Sequence, residues 1–250
     1  MDLLKVKSYN GLKYFFSEVG DGNLSFHFNG QASDDETVAK NRKKFFKKIG
    51  IDLDNTVGIW VEGSDRVLVA DPSLAGVGMT DKEHAVRCDA LLTNKKNLFL
   101  FLLIADCLPV ILYDPQNQAV GIVHVGWKGA DLELPKKVIA KMVSEYGTDP
   151  EKLIVGFGPS ARKESFIKKS PSQKNDPRWR KFLERVGSDE FKVDVAGFCR
   201  EQLRDMGVLK ENIFDCGINT VTDTRFFSHY RQNKLPHNLQ GRFACVVGLV

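Results

Sequence analysis

The sequence predicts an α/β protein in which mixed β-sheets are flanked by helices. Three apolar runs in mid-chain, Phe99–Ile104, residues 110–113 and Ala119–Val125, are too short for helices and have the length of buried strands. Longer amphipathic segments elsewhere end at a glycine, as helices do. With 250 residues, 42% of them hydrophobic, the chain can bury a large core. The length fits one domain or two, and we predict a single domain over residues 1–250.

In chain order, the first predicted elements are short strands and one helix. Residues 3–28 alternate loosely between apolar and polar side chains, a pattern typical of short strands joined by turns. Residues 37–49 predict a helix, because an acidic segment precedes them and Gly50 follows. Its basic residues 42–44 and 47–48 are predicted to form a solvated face. Further strands are predicted at residues 57–61, 67–70 and 88–93.

The C-terminal half is predicted to alternate helices and strands. Amphipathic periodicity indicates helices at residues 132–146 and 195–206, each followed by a glycine. Strands are predicted at residues 153–157 and 243–250. Residues 165–177 are rich in lysine, serine and proline, which is typical of a surface loop.

Composition and charge disfavour several classes of protein. A net charge of +4 is mild and requires neither a nucleic acid nor a membrane as partner. Five cysteines without close pairing favour a reducing compartment over a disulfide framework. No export signal is visible, and the longest apolar stretch, residues 98–104, is far shorter than a membrane span, so we expect a cytoplasmic protein. The sequence also lacks glycine-rich nucleotide loops, which disfavours nicotinamide- and kinase-type enzymes.

Two reactive side chains stand at predicted strand ends. Cys107 lies just past the Phe99–Ile104 strand, and His124 lies near the end of the Ala119–Val125 strand. A thiolate and an imidazole in such positions suit two zinc ligands, or a thiol nucleophile and its base. Simple packing of a buried cysteine is the third interpretation. The segment Gly126-Trp127-Lys128-Gly129 favours chemistry, because glycines, a flat aromatic ring and a cation are typical of a ligand-binding floor.

The same region carries a family resemblance. The segments ADCLPVILYDP (residues 105–115) and AVGIVHVGWKG (residues 119–129) closely resemble the signature of the YfiH-type proteins, also called laccase-domain or multicopper polyphenol oxidase-like proteins. Weaker matches occur in the same order along nearly the whole chain, at Asn41-Arg42, residues 88–93, Gly158-Pro159-Ser160, Phe226-Phe227-Ser228 and Gly241-Arg242. The resemblance implies a YfiH-like fold.

The resemblance also implies a zinc-dependent enzyme of purine nucleosides. The expected reactions are phosphorolysis of adenosine, inosine or methylthioadenosine, and deamination of adenosine. The implied zinc ligands are Glu62, Cys107 and His124, with Glu62 where the family usually has a histidine. Copper oxidation of phenols is disfavoured, because so few ligands do not build a histidine-rich multicopper cluster. His84 is predicted to be an exposed loop residue, and Asp89 is interpreted as structural or as supporting a ligand.

In this interpretation Cys107 and His124 are the catalytic residues, and a small set of cationic and aromatic side chains contacts the nucleoside and phosphate. These predicted substrate contacts are Lys128, Arg225, Phe227 and Arg242. The resemblance to the Phe-Phe-Ser-Tyr-Arg element of the family is interrupted here by His229. Without the resemblance, the adjacent phenylalanines 226 and 227 would be interpreted as core residues.

Two other functions stay open at this point. The first is a metal-free thiol hydrolase, with Cys107 as nucleophile and His124 as base, which would suit amide-linked cell-wall precursors. The second is a binding protein without catalysis, because Glu62 and Asn29 replace a histidine and an arginine of the family. Metal content and thiol reactivity distinguish these functions. The sequence makes no prediction of oligomeric state.

Overall fold

The computed structural model describes residue 9 and residues 11–250, so the prediction for residues 3–8 lies outside the described part of the chain. The described residues form strands β1 (Leu12–Phe16), β2 (His27–Phe28), β3 (Gln31–Ala32), β4 (Thr56–Trp60), β5 (Val67–Val69), β6 (Val86–Arg87), β7 (Ala90–Thr93), β8 (Phe99–Ile104), β9 (Leu108–Asp114), β10 (Ala119–Val125), β11 (Ile154–Phe157), β12 (Ile167–Lys169), β13 (Leu183–Arg185), β14 (Glu190–Val193), β15 (Ile213–Asp215) and β16 (Phe243–Leu249). The α-helices are α1 (Asp35–Ile49), α2 (Trp127–Asp131), α3 (Leu134–Tyr146), α4 (Val195–Asp205) and α5 (His229–Gln232).

Two large mixed sheets form the centre of the fold. A five-stranded sheet has the order β1-β16-β8-β4-β6, and a six-stranded sheet has the order β15-β11-β9-β10-β7-β5. Strand β8 pairs antiparallel with β16 and parallel with β4, and strand β11 pairs antiparallel with β9 and parallel with β15. Smaller sheets have the orders β12-β14-β13 and β2-β3. The predicted mixed-sheet α/β class is therefore confirmed.

Apolar side chains fill the spaces between successive layers of the fold. Leu91 of β7 and Leu100 of β8 belong to the cluster between the two large sheets. Leu92 faces the opposite way, into a cluster that includes the buried side chains of α3 and α4. The outer face of the five-stranded sheet packs on Phe45 and Phe46 of α1. Because side chains alternate along a strand, both faces of each large sheet are buried, and helices cover the outer faces.

Helix α1 occurs as predicted but buries one of its basic residues. It starts after Asp34 and closes at Gly50, which has the left-handed backbone conformation (φ 68°) that glycine adopts easily. Arg42 is only 3% exposed and donates hydrogen bonds to the carbonyls of Leu24, Gly78 and Met79. The prediction of a solvated basic face holds for lysines 43, 44, 47 and 48 and is wrong for Arg42.

The helix predicted at residues 132–146 occurs as α3, which begins two residues later, and a short helix that was not predicted precedes it. A short helix, α2, begins directly at Trp127, and Glu133 adopts a left-handed conformation (φ 57°) before α3 begins at Leu134. A left-handed residue cannot continue a right-handed helix, so the chain changes direction there. Helix α2 therefore starts immediately after β10, next to His124.

The segment 165–177 also departs from its prediction as a surface loop. Residues 167–169 form β12, which pairs antiparallel with β14 of the three-stranded sheet. Elsewhere, Cys199 and Cys245 are buried free thiols, as predicted, and His84 is exposed, as predicted. Within the described part of the chain, no helix combines the length and apolar character needed to cross a membrane.

Candidate active site

The register of the β9–β10 hairpin brings Cys107 beside His124. His124 lies opposite Pro109 and Val125 lies opposite Leu108, so continuing this register places Cys107 across from Gly126. A Cβ atom built on Gly126 would lie 3.3 Å from the Cys107 Sγ and 3.6 Å from the His124 Cε1. A glycine at this position therefore leaves room for the thiol and the imidazole to approach each other.

Asp89 supports the imidazole from the opposite side. The pairing of β10 with β7 places Val123 opposite Ala90, and the backbone N–H of His124 donates to the Asp89 carbonyl. The His124 Nδ1 lies 2.9 Å from the Asp89 Oδ1, which leaves Nε2 for Cys107. Cys107, His124 and Asp89 thus form a chain of thiol, imidazole and carboxylate, the arrangement found in enzymes with an activated nucleophile.

Burial and neighbouring charges set the protonation of this chain. Burial tends to raise the pKa of Asp89, but hydrogen bonds from His124 and Ser64 bring it down to about 2. Burial tends to lower the pKa of His124, but the Cys107 sulfur and the Asp89 carboxylate together raise it to about 10. At neutral pH the imidazole therefore holds a proton between a carboxylate and a sulfur atom.

Cys107 opens into a cavity of about 360 Å³. Apolar and aromatic side chains form most of its wall, and polar groups are interspersed among them. The polar and aromatic residues of the wall include Asp106, Trp127, Ser160, Lys168, His229 and Tyr230. A concave, mostly apolar site with a few polar groups and one reactive side chain is the usual form of a small-molecule site.

Glu62, the third predicted zinc ligand, is directed elsewhere. Its backbone N–H donates to the Asp89 carboxylate, while its side chain forms an ion pair with Arg87 at 3.0 Å. Across residues 9 and 11–250, no three His, Cys, Asp or Glu side chains are grouped as a metal site would require. As placed, the donor set of Glu62, Cys107 and His124 does not fit the three-ligand zinc site that the resemblance implies.

The predicted substrate contacts lie apart from the Cys107 cavity. Lys128 is exposed on α2, Arg225 pairs with Asp223, and Phe227 is 6% exposed within the core. Arg242 lines a second cavity of about 340 Å³, and Cys107 and Asp106 lie near enough to influence its pKa. Because Cys107 lines only the first of these two cavities, we place the candidate active site there. The substrate roles of these four residues stay predictions.

Sequence reasoning missed two residues of the cavity wall. Lys168 was hidden because the segment around it has the composition of a surface loop. Ser160 belongs to the Gly158-Pro159-Ser160 segment, in which the sequence showed only a weaker match to the family. His229, which interrupts the family pattern in the sequence, also lines the cavity. That interruption could therefore have been used to identify a residue of the cavity wall.

Comparisons with known proteins agree with the fold and the sequence motifs. The sequence model of the family described as multi-copper polyphenol oxidoreductase laccase matches residues 16–250. A Bacillus subtilis protein named purine nucleoside phosphorylase YlmD is 25% identical over 225 residues, which are 86% of this chain and 78% of that protein. A Xylella fastidiosa protein named purine nucleoside phosphorylase is 29% identical over 244 residues, covering 92% of this chain and 84% of that protein.

A solved structure shows the same architecture. The crystal structure of the Bacillus licheniformis hypothetical protein YfiH matches with a TM-score of 0.86 and 25% sequence identity, over 96% of this chain and 93% of that chain. The predicted YfiH-type resemblance is thereby confirmed over nearly the whole length of the sequence. The chain belongs to the multi-copper polyphenol oxidoreductase laccase family.

Proposed function

We propose that this chain is a purine nucleoside phosphorylase that cleaves the bond between ribose and base in the Cys107 cavity. The names of its relatives support the reaction class. The observation that carries the proposal is that Cys107, paired with His124, opens into a cavity of about 360 Å³, within the size range of small-molecule sites. Trp127 and Tyr230 give the cavity aromatic surface against which a purine ring can pack.

The proposed reaction needs a proton for the departing base. Phosphorolysis breaks the C1′–N9 bond and joins C1′ to a phosphate oxygen, while the bonding electron pair leaves with the purine. The proton held between the Cys107 sulfur and His124 is transferred to that purine, leaving a thiolate beside a neutral imidazole. Cys107 is the catalytic residue at the substrate, His124 stores the proton, and Asp89 is a positioning residue.

This mechanism uses Cys107, His124 and Asp89, and the Glu62 carboxylate, which pairs with Arg87, takes no part in it. Elemental analysis of the purified protein tests the zinc prediction separately. Zinc at one ion per chain, lost in Glu62→Ala and in Cys107→Ala, would mean that Glu62 leaves Arg87 to bind metal. Such a result would replace the metal-free mechanism.

The proposed function is tested by incubating the protein with adenosine, inosine or methylthioadenosine, with and without phosphate. We expect free base and ribose 1-phosphate to form only when phosphate is present. Cys107→Ala should reduce turnover roughly 100-fold or more, the usual contribution of a proton-transferring side chain. Cys216→Ala removes another half-buried thiol, which lies near Arg162 outside the cavity, and should retain full activity.

Two results would contradict the proposal. Turnover that is equal in Cys107→Ala and in the wild type would remove Cys107 from the mechanism. The absence of base release from all three nucleosides would remove phosphorolysis itself. Chromatography of the same incubations also tests for adenosine deamination. If the protein deaminates adenosine, inosine accumulates from adenosine in the absence of phosphate.

A thiol hydrolase is the second candidate function, and the Cys107–His124–Asp89 chain specifically favours it. In that reaction the Cys107 sulfur would attack an acyl carbon, and His124 would donate its proton to the departing amine. An acyl-enzyme on Cys107, detected by mass spectrometry after incubation with amide-linked cell-wall precursors, would support this function. Phosphate-dependent release of purine would instead support the first.

A further inference from the structure

The Cys107 cavity contains a cationic side chain with no anionic partner. Lys168 lies on β12, with its Nζ 3.6 Å from the centre of the Trp127 ring. In the part of the chain that the structure describes, no carboxylate lies within ion-pair distance of Lys168. Burial lowers the pKa of this ammonium group, so its charge is only partly solvated. A ligand anion would supply the missing counter-charge.

Ser160, which lines the same cavity, has a buried hydroxyl that finds no hydrogen-bond partner among the described residues. Ser160 is 1% exposed, and its Oγ makes no hydrogen bond in the described structure. Its backbone is fixed on both sides, since its N–H donates to the Ile218 carbonyl and its own carbonyl accepts from the N–H of Thr220. Buried hydroxyl groups are normally paired, so an orphaned one in a cavity wall points to a ligand that accepts its proton.

Among the described residues of the cavity wall, the single carboxylate, Asp106, already has hydrogen-bond donors on both oxygens. Asp106 accepts a hydrogen bond from the Thr220 hydroxyl on one oxygen and from the Tyr230 N–H on the other. Its charge is also partly offset by Arg242, which lies near enough for the two groups to interact. Asp106 therefore does not serve as the counter-charge of Lys168, and both Lys168 and Ser160 remain available to a ligand.

We infer that Lys168 and Ser160 form an oxyanion subsite, which holds the phosphate group consumed in the proposed phosphorolysis. The inference rests on the proposed function and adds to it the residues that bind phosphate. The ammonium group supplies charge and the hydroxyl supplies a directed donor, a combination that suits a tetrahedral oxyanion. His229, on the same wall, adds a further polar group. The phosphate group of a nucleotide has the same oxyanion chemistry, and the binding experiment below distinguishes it from the inorganic phosphate that phosphorolysis consumes.

Direct binding tests the subsite without any turnover. Phosphate binding to the full chain is measured by calorimetry for the wild type, Lys168→Gln and Ser160→Ala. We expect the dissociation constant to rise roughly tenfold or more in Lys168→Gln, the loss typical of one charge-assisted hydrogen bond, and by a smaller factor in Ser160→Ala. Lys168→Arg should retain most of the affinity, because it keeps the charge.

Lys169→Gln is the matched control. Lys169 is the next residue of the same strand, is exposed, and points to the opposite face, so its removal deletes the same charge outside the cavity. Equal losses in Lys168→Gln and Lys169→Gln would show a general charge effect and overturn the subsite. Unchanged binding in Lys168→Gln would overturn it as well.

Steady-state kinetics distinguish this inference from the proposed function. If Lys168 binds the phosphate, Lys168→Gln raises the KM for phosphate and leaves the KM for nucleoside within about twofold of the wild-type value. If Lys168→Gln instead raises the KM for nucleoside and leaves the KM for phosphate unchanged, the phosphate subsite is refuted and the proposed phosphorylase function is retained. Phosphate binding that depends on Lys168 in a protein that releases no base keeps the subsite and refutes the phosphorylase. Tighter binding of adenosine 5′-monophosphate than of inorganic phosphate, again lost in Lys168→Gln, assigns the subsite to a nucleotide.

Discussion

Replacing Asp89 with asparagine tests the network that holds His124. The Asp89 side chain has no exposed surface, and its two oxygens accept five hydrogen bonds. The donors are the backbone N–H groups of residues 62, 63 and 64, the Ser64 hydroxyl and the His124 Nδ1. Asparagine has the same shape, but it carries no charge and presents an NH₂ group to several of these donors. The substitution therefore changes the electrostatics while nearly preserving the volume.

The expected loss of stability follows from the pKa of Asp89. Burial tends to raise this pKa, and the hydrogen bonds lower it from 3.8 to about 2. At about 1.4 kcal/mol per pKa unit, the ionised carboxylate contributes about 2 kcal/mol to the free energy of unfolding. Because the folded-state pKa is lowered, this contribution is present above pH 3.8 and is lost as the pH falls through about 2. The new NH₂ group also leaves buried donors unsatisfied, so the free energy of unfolding of Asp89→Asn should fall by roughly 3–4 kcal/mol in total at neutral pH.

Urea unfolding at neutral pH and at successively lower pH measures both parts of this prediction. We expect the gap between the wild type and Asp89→Asn to narrow once the pH falls below 3.8. Asp65→Asn is the control, because Asp65 follows the donor Ser64 in sequence but is half-buried and forms an ion pair with Lys137 at the surface. The urea midpoint of this variant should not change. A neutral-pH loss under about 1 kcal/mol, or a gap independent of pH, would refute the reasoning.

Three further predictions concern the pair, the helix and the core. Gly126→Ala places a methyl group against Cys107, so turnover should fall roughly tenfold or more with little change in melting temperature, whereas Gly20→Ala, which meets no atom within 4 Å, should leave both unchanged. Arg42→Lys loses the planar group that reaches three buried carbonyls, and urea unfolding should show a loss of roughly 3 kcal/mol; a loss too small to measure would contradict this account. Burial raises the pKa of the Cys88 thiol from 9.0 to about 12. The neutral thiol therefore contributes stability below about pH 9, and this stability should be lost as the pH rises towards 12. Over that range, the melting temperature of Cys88→Ala should decline less steeply than that of the wild type.

The sequence was sufficient to predict the central strands and to place Cys107 and His124 at neighbouring strand ends. Buried strands are nearly continuous apolar runs, so Phe99–Ile104 and Ala119–Val125 were predicted with the bounds that the structure shows. Both reactive residues lie close to the ends of those strands, and the short turn between β9 and β10 fixes the register that joins them. Local pattern and tertiary contact agree here, which is why the prediction succeeded.

Lys168 could not be predicted, because its position depends on contacts that are distant in sequence. Strand β12 has only three residues, and prolines and serines follow it. It becomes a strand by pairing with β14, more than twenty residues later, and that pairing turns Lys168 towards Trp127. Propensity within a short window carries no information about such a partner. Arg42 was placed wrongly for a similar reason, since the carbonyls that receive its hydrogen bonds come from two other segments.

The position of Glu62 explains how the contact between Cys107 and His124 can form although residue 62 is not the histidine that the family resemblance implies. Residue 62 supports Asp89 through its backbone N–H, and the next two residues do the same, so any residue except proline at this position leaves these three hydrogen bonds intact. The Glu62 side chain is then free to pair with Arg87 at the surface, an interaction worth little energy. A change of side chain at this position therefore leaves the hydrogen bonds that support the Cys107–His124–Asp89 chain in place. The protonated imidazole and the cavity beside it depend on residues that this change leaves in place, which is why the proposed chemistry is assigned to that chain.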